Sequence, residues 1–278
     1  MQFPNRIVCL TDETAETLYL LGAQDRIVGV SGFSTRPPEI RSKPRVSTFA
    51  EANVGAILDL RPDLVLAFSD VQAGITRQLV LAGLNVVHFN QRSVAQIFDS
   101  IALLARIVGK EREGDALIAR LRGGLDAISA AAGELPFRPR VYFEEWNDPL
   151  ISGIAWVDEL IEIAGGEVIF PELRGCGKAQ DRVVDPAAVV ARNPDVILAS
   201  WCGMKADLAG IRGRSGWDAI GAVRNGHVYE IPSSCILQPG PAALTDGVRM
   251  IHKILARVAH AEAGSPQPQE LSTNSQLL

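Results

Sequence analysis

Short apolar runs rich in β-branched residues alternate with segments of helical period along most of the chain. RIVCL (6–10) and RIVGVS (26–31) read as strands flanking a helix around TAETLYLLGA, for which Thr11 and Asp12 offer N-caps. The loop GFSTRPPE that follows carries two prolines, which forbid regular structure there. After PRVST the pattern predicts a helix from about Asn53 to Leu60, the strand DLVLAFS, a helix near 73–82 and the strand NVVHFN (85–90). Such alternation implies parallel βαβ units with right-handed crossovers.

One unit is written twice. AILDLRPDLVLAFS (56–69) aligns without a gap on AVVARNPDVILAS (188–200), so that Pro62 meets Pro194, Asp63 meets Asp195 and LVLA meets VILA. In each copy the residue before proline is pushed out of the α region, which ends the helix. The continuous apolar run after it suits a strand buried on both faces of a parallel sheet. LYLLGAQDRIVGV (18–30) and LIEIAGGEVIF (160–170) repeat a helix that closes on glycine before a strand.

Between the copies, residues 93–133 are dominated by helix formers, with Leu117, Leu121, Leu125 and Ile128 at helical spacing and Gly109 as the expected break. A helix over 110–132 would be about 33 Å long at about 1.5 Å per residue. The expected fold is α/β: two Rossmann-like lobes with mainly parallel sheets joined by one long backbone helix. The N-terminal lobe is expected over 1–109, the connecting helix over 110–133 and the C-terminal lobe over 134–262, closing with a helix near 241–262. Residues 263–278 lack apolar periodicity and read as a disordered tail. Two such lobes leave a cleft at the carboxyl ends of their strands, where open α/β sheets bind ligands.

Charge and composition narrow the functions. The chain has 278 residues with a net charge of −5 and no basic stripe, which argues against a nucleic-acid partner. No run approaches the length of a membrane span. MQFPNRIVCL lacks the basic and apolar regions of an export leader, so a cytoplasmic location is expected; the alternative is a periplasmic protein whose leader is missing from this sequence. His88, His227, His252 and His260 show no metal-ligand spacing, and no metal site is expected. Glu144 and Glu145 are adjacent on a strand and point to opposite faces, one expected at the cleft rim and one in a salt bridge, which gives an enzyme little support. Cys9 reads as a buried small hydrophobe, whereas Cys176, Cys202 and Cys235 follow predicted strands in the second lobe without a spacing signature.

In this order and spacing, the stretches LYLLGAQDRIVGVS, LRPDLVLA, NDPLISG with WVDELIEIAGG, and GWDAIGAVRNGHVYEI resemble the cobalamin/iron-siderophore type of ABC-transporter substrate-binding proteins, the helical-backbone metal receptors. The resemblance covers residues 6–262, is nearest to members that bind cobalamin, and implies a class III periplasmic-binding-protein fold. It implies a binding protein and not an enzyme, holding a corrinoid or other metal chelate between the lobes, with cobalamin as ligand and no required cofactor. The alternatives are an enzyme or cofactor-handling protein that reuses the cleft, with Glu145 or a cysteine as reactive group, the transporter component itself for vitamin B12 or an iron-siderophore, or a docking module without a ligand. Family members clasp a corrinoid between aromatic side chains; the matching positions hold Phe49 and Phe68, with Leu150 where a third ring would sit. Ser234 and Gln238 take the polar positions near the terminal helix. Together with the loops at strand ends, the expected ligand-binding residues are Phe33, Arg36, Phe49, Phe68, Gln72, Glu145, Trp146, Trp201, Cys202, Ser234 and Gln238. Trp156 and Trp217 are expected to be structural. Exported relatives present a glutamate on each lobe to the permease, and Gly55 and Ala187 stand in those places, with Glu51 and Asp185 nearby, which argues against permease docking.

Overall fold

The computed structural model describes residues 3–264. The first sheet is built from β1 (Ile7–Cys9), β2 (Ile27–Ser31), β3 (Arg45–Ser47), β4 (Leu64–Phe68) and β5 (Val86–Phe89), all parallel, in the order β3-β2-β1-β4-β5. Its helices are α1 (Asp12–Leu20), α2 (Val54–Asp59), α3 (Ala73–Leu81) and α4 (Val94–Ile107). The expected break falls at Gly109, which sits at φ 65°, and α5 (Glu111–Gly133) then runs for 23 residues.

The second lobe holds β6 (Arg140–Asn147), β7 (Leu150–Ser152), α6 (Ala155–Ile163), β8 (Glu167–Val168), α7 (Pro186–Arg192), β9 (Val196–Ala199), α8 (Leu208–Arg212), α9 (Gly221–Arg224), β10 (Val228–Glu230), α10 (Ser233–Ile236) and α11 (Val248–Glu262). Strands β10, β9, β6 and β8 are parallel, while β7 pairs antiparallel with β6. The terminal helix begins at 241 as expected, and a π-turn over Ala243–Gly247 interrupts its α-geometry before α11. There Gly247 packs so closely that an added Cβ would lie 2.3 Å from the carbonyl oxygen of Cys235. The tail from 265 onward lies outside the described residues.

The duplicated unit makes the same joint in both lobes. Arg61 and Asn193 take left-handed backbone at φ 47° and 43°, ending α2 and α7. The Asp63 carboxylate then accepts from the backbone N–H of Asn5 and Arg6 at 2.7 and 3.0 Å, and Asp195 accepts from that of Arg140 at 2.7 Å. In return the Arg6 guanidinium donates to the carbonyls of Leu60 and Arg61, and Arg140 to that of Asn193. Each pair thus staples the start of a central strand to the end of a helix, using carbonyls that the helix leaves unpaired. Double-faced burial of the strands also holds. Leu64, Leu66 and Phe68 enter one core cluster while Val65 and Ala67 enter another, and Val196 and Leu198 divide from Ile197 and Ala199 in the same way.

Leu117, Leu121, Leu125 and Ile128 line the buried face of α5 and share a single core cluster with residues of both lobes, among them Ile7, Phe143 and Leu255. The two lobes therefore stand on one continuous apolar base. Where α5 meets α4, a Cβ on Gly114 would lie 2.4 Å from that of Ala105. Gly114→Val should therefore destabilise the protein by about 1–3 kcal/mol through overpacking, despite the better helix propensity of valine. Urea unfolding checks this, and an unchanged midpoint would refute the close approach.

Candidate functional site

A cavity of about 340 Å³ opens between the lobes. The first lobe supplies Thr11 and Asp12 after β1, Ser31, Phe33 and Thr35 at and after β2, and Phe49 after β3. The second supplies residues 202–205 after β9, Glu230 at the end of β10, and Pro232, Ser233, Ser234 and Gln238 around α10. All sit at the carboxyl ends of parallel strands, where the backbone leaves the sheet and side chains converge. Phe33 is 45% exposed. Its ring rests against Gly203 across the cleft, where an added Cβ would meet it at 3.1 Å, and Gly203 itself sits at φ 70°. Both the space and the backbone there favour glycine.

Beneath the cavity, α1 buries an unusual acidic turn. The Ser34 hydroxyl donates to Asp12 Oδ1 at 2.9 Å, and Thr11 Oγ1 donates to Glu13 Oε1 at 2.5 Å. Glu16 accepts from Arg36 Nε at 3.1 Å and from the Ala242 N–H at 3.0 Å. Arg36 also donates to Asp246 at 2.7 Å, so it ties the first lobe to the second. Loss of water pushes the Asp12 carboxyl up to about 6 and Glu13 up to about 8, against the hydrogen bonds from Ser34 and Thr11. Burial likewise raises Glu16, with Arg36 opposing it.

Of the residues expected in the site, Phe33, Phe49, Cys202, Ser234 and Gln238 line the cavity. The others stand behind or beside it. Phe68 is a core residue because β4 is buried on both faces, and Arg92 lies over its ring, 5.2 Å from the centroid. Gln72 is buried and braces the wall: its amide donates to the carbonyls of Leu10 and Phe49 and accepts from the Phe68 N–H. Arg36 is taken up by Glu16 and Asp246. Glu145 forms a two-pronged pair with the buried Arg182 at 2.6 and 3.1 Å. Trp201 is buried and donates to Glu144 Oε1 at 3.2 Å, and half-buried Trp146 packs against the second lobe's core. Glu144 is also paired with Arg214, at 2.5 and 2.9 Å, so both adjacent glutamates are in salt bridges. Trp156 and Trp217 are buried. Thr11, Ser31, Lys205 and Glu230 line the cavity without having been expected to. Ser31 and Glu230 belong to strands, and only their position as last residues marks them.

Among the described residues, no three His, Cys, Asp or Glu side chains come together to hold a metal ion, so Cys176, Cys202 and Cys235 do not form a ligand set. Burial raises the Cys202 thiol, with Glu145 and Asp12 adding to the effect. That is the reverse of what an activated nucleophile needs.

The sequence profile of the family described as "Periplasmic binding protein" matches residues 7–235. The chain belongs to this family. Similar proteins include an uncharacterized ABC transporter substrate-binding lipoprotein of Bacillus subtilis, 28% identical over 254 residues, or 88% of this chain and 78% of that protein. A cobalamin-binding protein of Halobacterium salinarum is 28% identical over 257 residues, covering 89% and 68% of the two chains. Among solved structures, the periplasmic heme-binding protein RhuT of Roseiflexus superposes with a TM-score of 0.77 at 24% identity, covering 90% of this chain and 99% of that one. The periplasmic vitamin B12-binding protein BtuF of Vibrio cholerae gives 0.73 at 23%, covering 92% and 98%. The class III periplasmic-binding-protein fold expected from the sequence is therefore the fold of this chain.

Family membership corrects one expectation. A cytoplasmic location conflicts with a family of periplasmic binding proteins and with relatives that are a lipoprotein and vitamin B12-binding proteins. Among the described residues no helix is long and apolar enough to cross a membrane.

Two measurements test the buried carboxyls of α1, of Asp158 on α6 and of Glu144 on β6. Asp12, Glu13 and Asp158, which burial pushes up to about 7, all hold their protons more tightly folded than unfolded. A raised carboxyl favours the folded state at low pH, and that contribution is lost as pH rises through the folded values. The melting temperature should therefore fall between about pH 5 and pH 9, and Glu13→Gln should flatten the upper part of the slope. A melting temperature that rises over this range would contradict it. Separately, Arg214→Leu strands Glu144, which is fully buried, and should cost about 3–5 kcal/mol of stability in denaturant unfolding. Retention of wild-type stability would show that the pair does not hold the wall.

Proposed function

We propose that this chain captures a corrinoid or a similar planar metal chelate in the cleft, outside the cytoplasm, and passes it to an ABC permease. The observation that carries this reading is the cavity wall: two partly exposed rings, Phe33 and Phe49, face a wall of hydroxyl, amide and thioether groups from Ser233, Ser234, Gln238 and Met204. A flat ligand with an apolar face and a polar rim matches that division. The Halobacterium salinarum relative is named for cobalamin, and the alignment with it runs through both lobes. The chelate is cargo and not a cofactor.

The enzyme reading has less behind it, since Glu145 is engaged by Arg182 and the Cys202 thiol is raised. For docking, the exposed ends of α2 and α7 are the faces we assign to the permease. Gly55 and Ala187 lie there, with Glu51 and Asp185 as neighbouring exposed carboxylates. Asp185 is already used as an N-cap, accepting from the Ala187 N–H at 2.8 Å, which leaves this docking weaker than a glutamate pair would make it.

Calorimetric titration with cyanocobalamin, dicyanocobinamide and haemin tests the reading, and absence of binding by all three would refute it. Phe33→Ala and Phe49→Ala should each weaken binding by about 1–3 kcal/mol with little change in melting temperature. Phe68→Ala should do the opposite, costing about 3–5 kcal/mol of stability because the side chain is core.

A further inference from the structure

The polar groups of the cleft carry a bias of sign. Two carboxylates, Asp12 and Glu230, line the cavity, and Lys205 is the one cation among the lining residues. Most guanidinium groups around it are already paired with carboxylates: Arg36 with Glu16 and Asp246, Arg92 with Asp70, Arg182 with Glu145 and Arg214 with Glu144; Arg45 donates to the Gly32 carbonyl. A ligand carboxylate entering here would find Lys205 and the partly engaged Arg45, and no arginine among the lining residues to take it in a two-pronged fork.

Asp12 is placed to read the ligand's rim. It is 6% exposed, yet it lines the cavity. Ser34 occupies Oδ1, and among the described residues no hydrogen bond is made to Oδ2. The groups that act on Asp12 are Glu16 on its own helix, which disfavours its charge, and Arg45, which favours it but donates its own hydrogen bond to the Gly32 carbonyl. Glu13, beside it, and Cys202, on the opposite wall, both feel the Asp12 charge. Lys205 and Glu230 share the cavity, and Glu230 accepts from the Ala206 N–H at 2.9 Å. With its carboxyl raised only to about 6, Asp12 is ionised at pH 7.5.

We propose that Asp12 selects among metal chelates by rim chemistry, accepting a hydrogen bond from an amide-rimmed ligand and repelling a carboxylate-rimmed one. The inference rests on the reading of the cleft as a chelate site. An amide N–H can satisfy Oδ2, whereas a carboxylate brings a like charge to a group that has lost most of its water. The proposal separates two ligand chemistries, amide-rimmed corrins and propionate-bearing haem, that one apolar cleft would otherwise accept alike.

Two corrins with the same ring and different rims test it: dicyanocobinamide, with amides, and dicyanocobyrinic acid, with carboxylates. Each is titrated into the full-length protein by absorbance at pH 7.5 and about 50 mM salt, where charge effects are least screened. The amide form should bind at least about tenfold tighter to the wild type. In Asp12→Asn the gap should close to about threefold, through a gain by the acid and not a loss by the amide. Glu230→Gln should narrow it less. If Asp12→Asn does not fold, the wild-type gap should still shrink when salt is raised to about 1 M, and a gap indifferent to salt overturns the proposal. Equal wild-type affinities, or a preference for the acid, overturn the rim selection and leave the chelate site standing. Binding of haemin with neither corrin held overturns the corrinoid reading and this inference together.

Discussion

A carboxyl group leaves water only at a cost of several kcal/mol unless it finds partners or keeps its proton, and α1 takes three of them out of water within its first five residues. Much of the architecture around the cleft answers that demand. Ser34 and Thr11 are spent on Asp12 and Glu13, and Arg36 reaches Glu16 from a loop that also carries Phe33 and Thr35 into the cavity wall. The Ala242 N–H meets Glu16 from the other lobe, and an added Cβ on Gly240 would lie 2.4 Å from that of Glu13. The seam between the lobes is therefore polar and largely buried, and its hydrogen bonds come mainly from groups that also position the ligand wall, while Glu13 Oε2 is left without a partner among the described residues. Such a seam specifies one arrangement of the lobes more strongly than it stabilises it.

The apolar base below the seam has a different role. Because α5 shares its core with both lobes, it holds them on a common floor, and the polar seam and the Phe33 contact lie outside that shared core. Glu159 reinforces this frame, accepting at 2.6 Å from the Val94 N–H at the head of α4.

The fold was legible because its signals are local. Strand and helix periods, the proline that ends α2 and α7, and the leucine stripe of α5 each act within a few residues, and the duplicated Pro-Asp unit told that two lobes were alike. What that unit does, the stapling of Asp63 to the start of β1 and of Asp195 to the start of β6, joins residues far apart in sequence and left no local trace. The site was legible only as a set of loops. Phe49 and Phe68 both end strands and look equivalent on paper. They part company because β4 is central and covered on both faces, while Phe49 follows the edge strand β3. Arg36 and Glu145 looked like rim charges because their partners, Asp246 and Arg182, are distant in the chain. Location is set by the family to which the two lobes belong and not by the pattern of residues 1–10.

The contact between Phe33 and Gly203 differs in kind from the rest of the seam. It is an aromatic ring laid on glycine backbone, held by dispersion and without a hydrogen bond of its own, and the side chain is 45% exposed. Dispersion contacts of this size break easily. The polar ties across the seam, Arg36 to Asp246 and Glu16 to the Ala242 N–H, depend on exact hydrogen-bond geometry, whereas this contact needs only surface, so it follows a change in shape of the cavity wall at little cost.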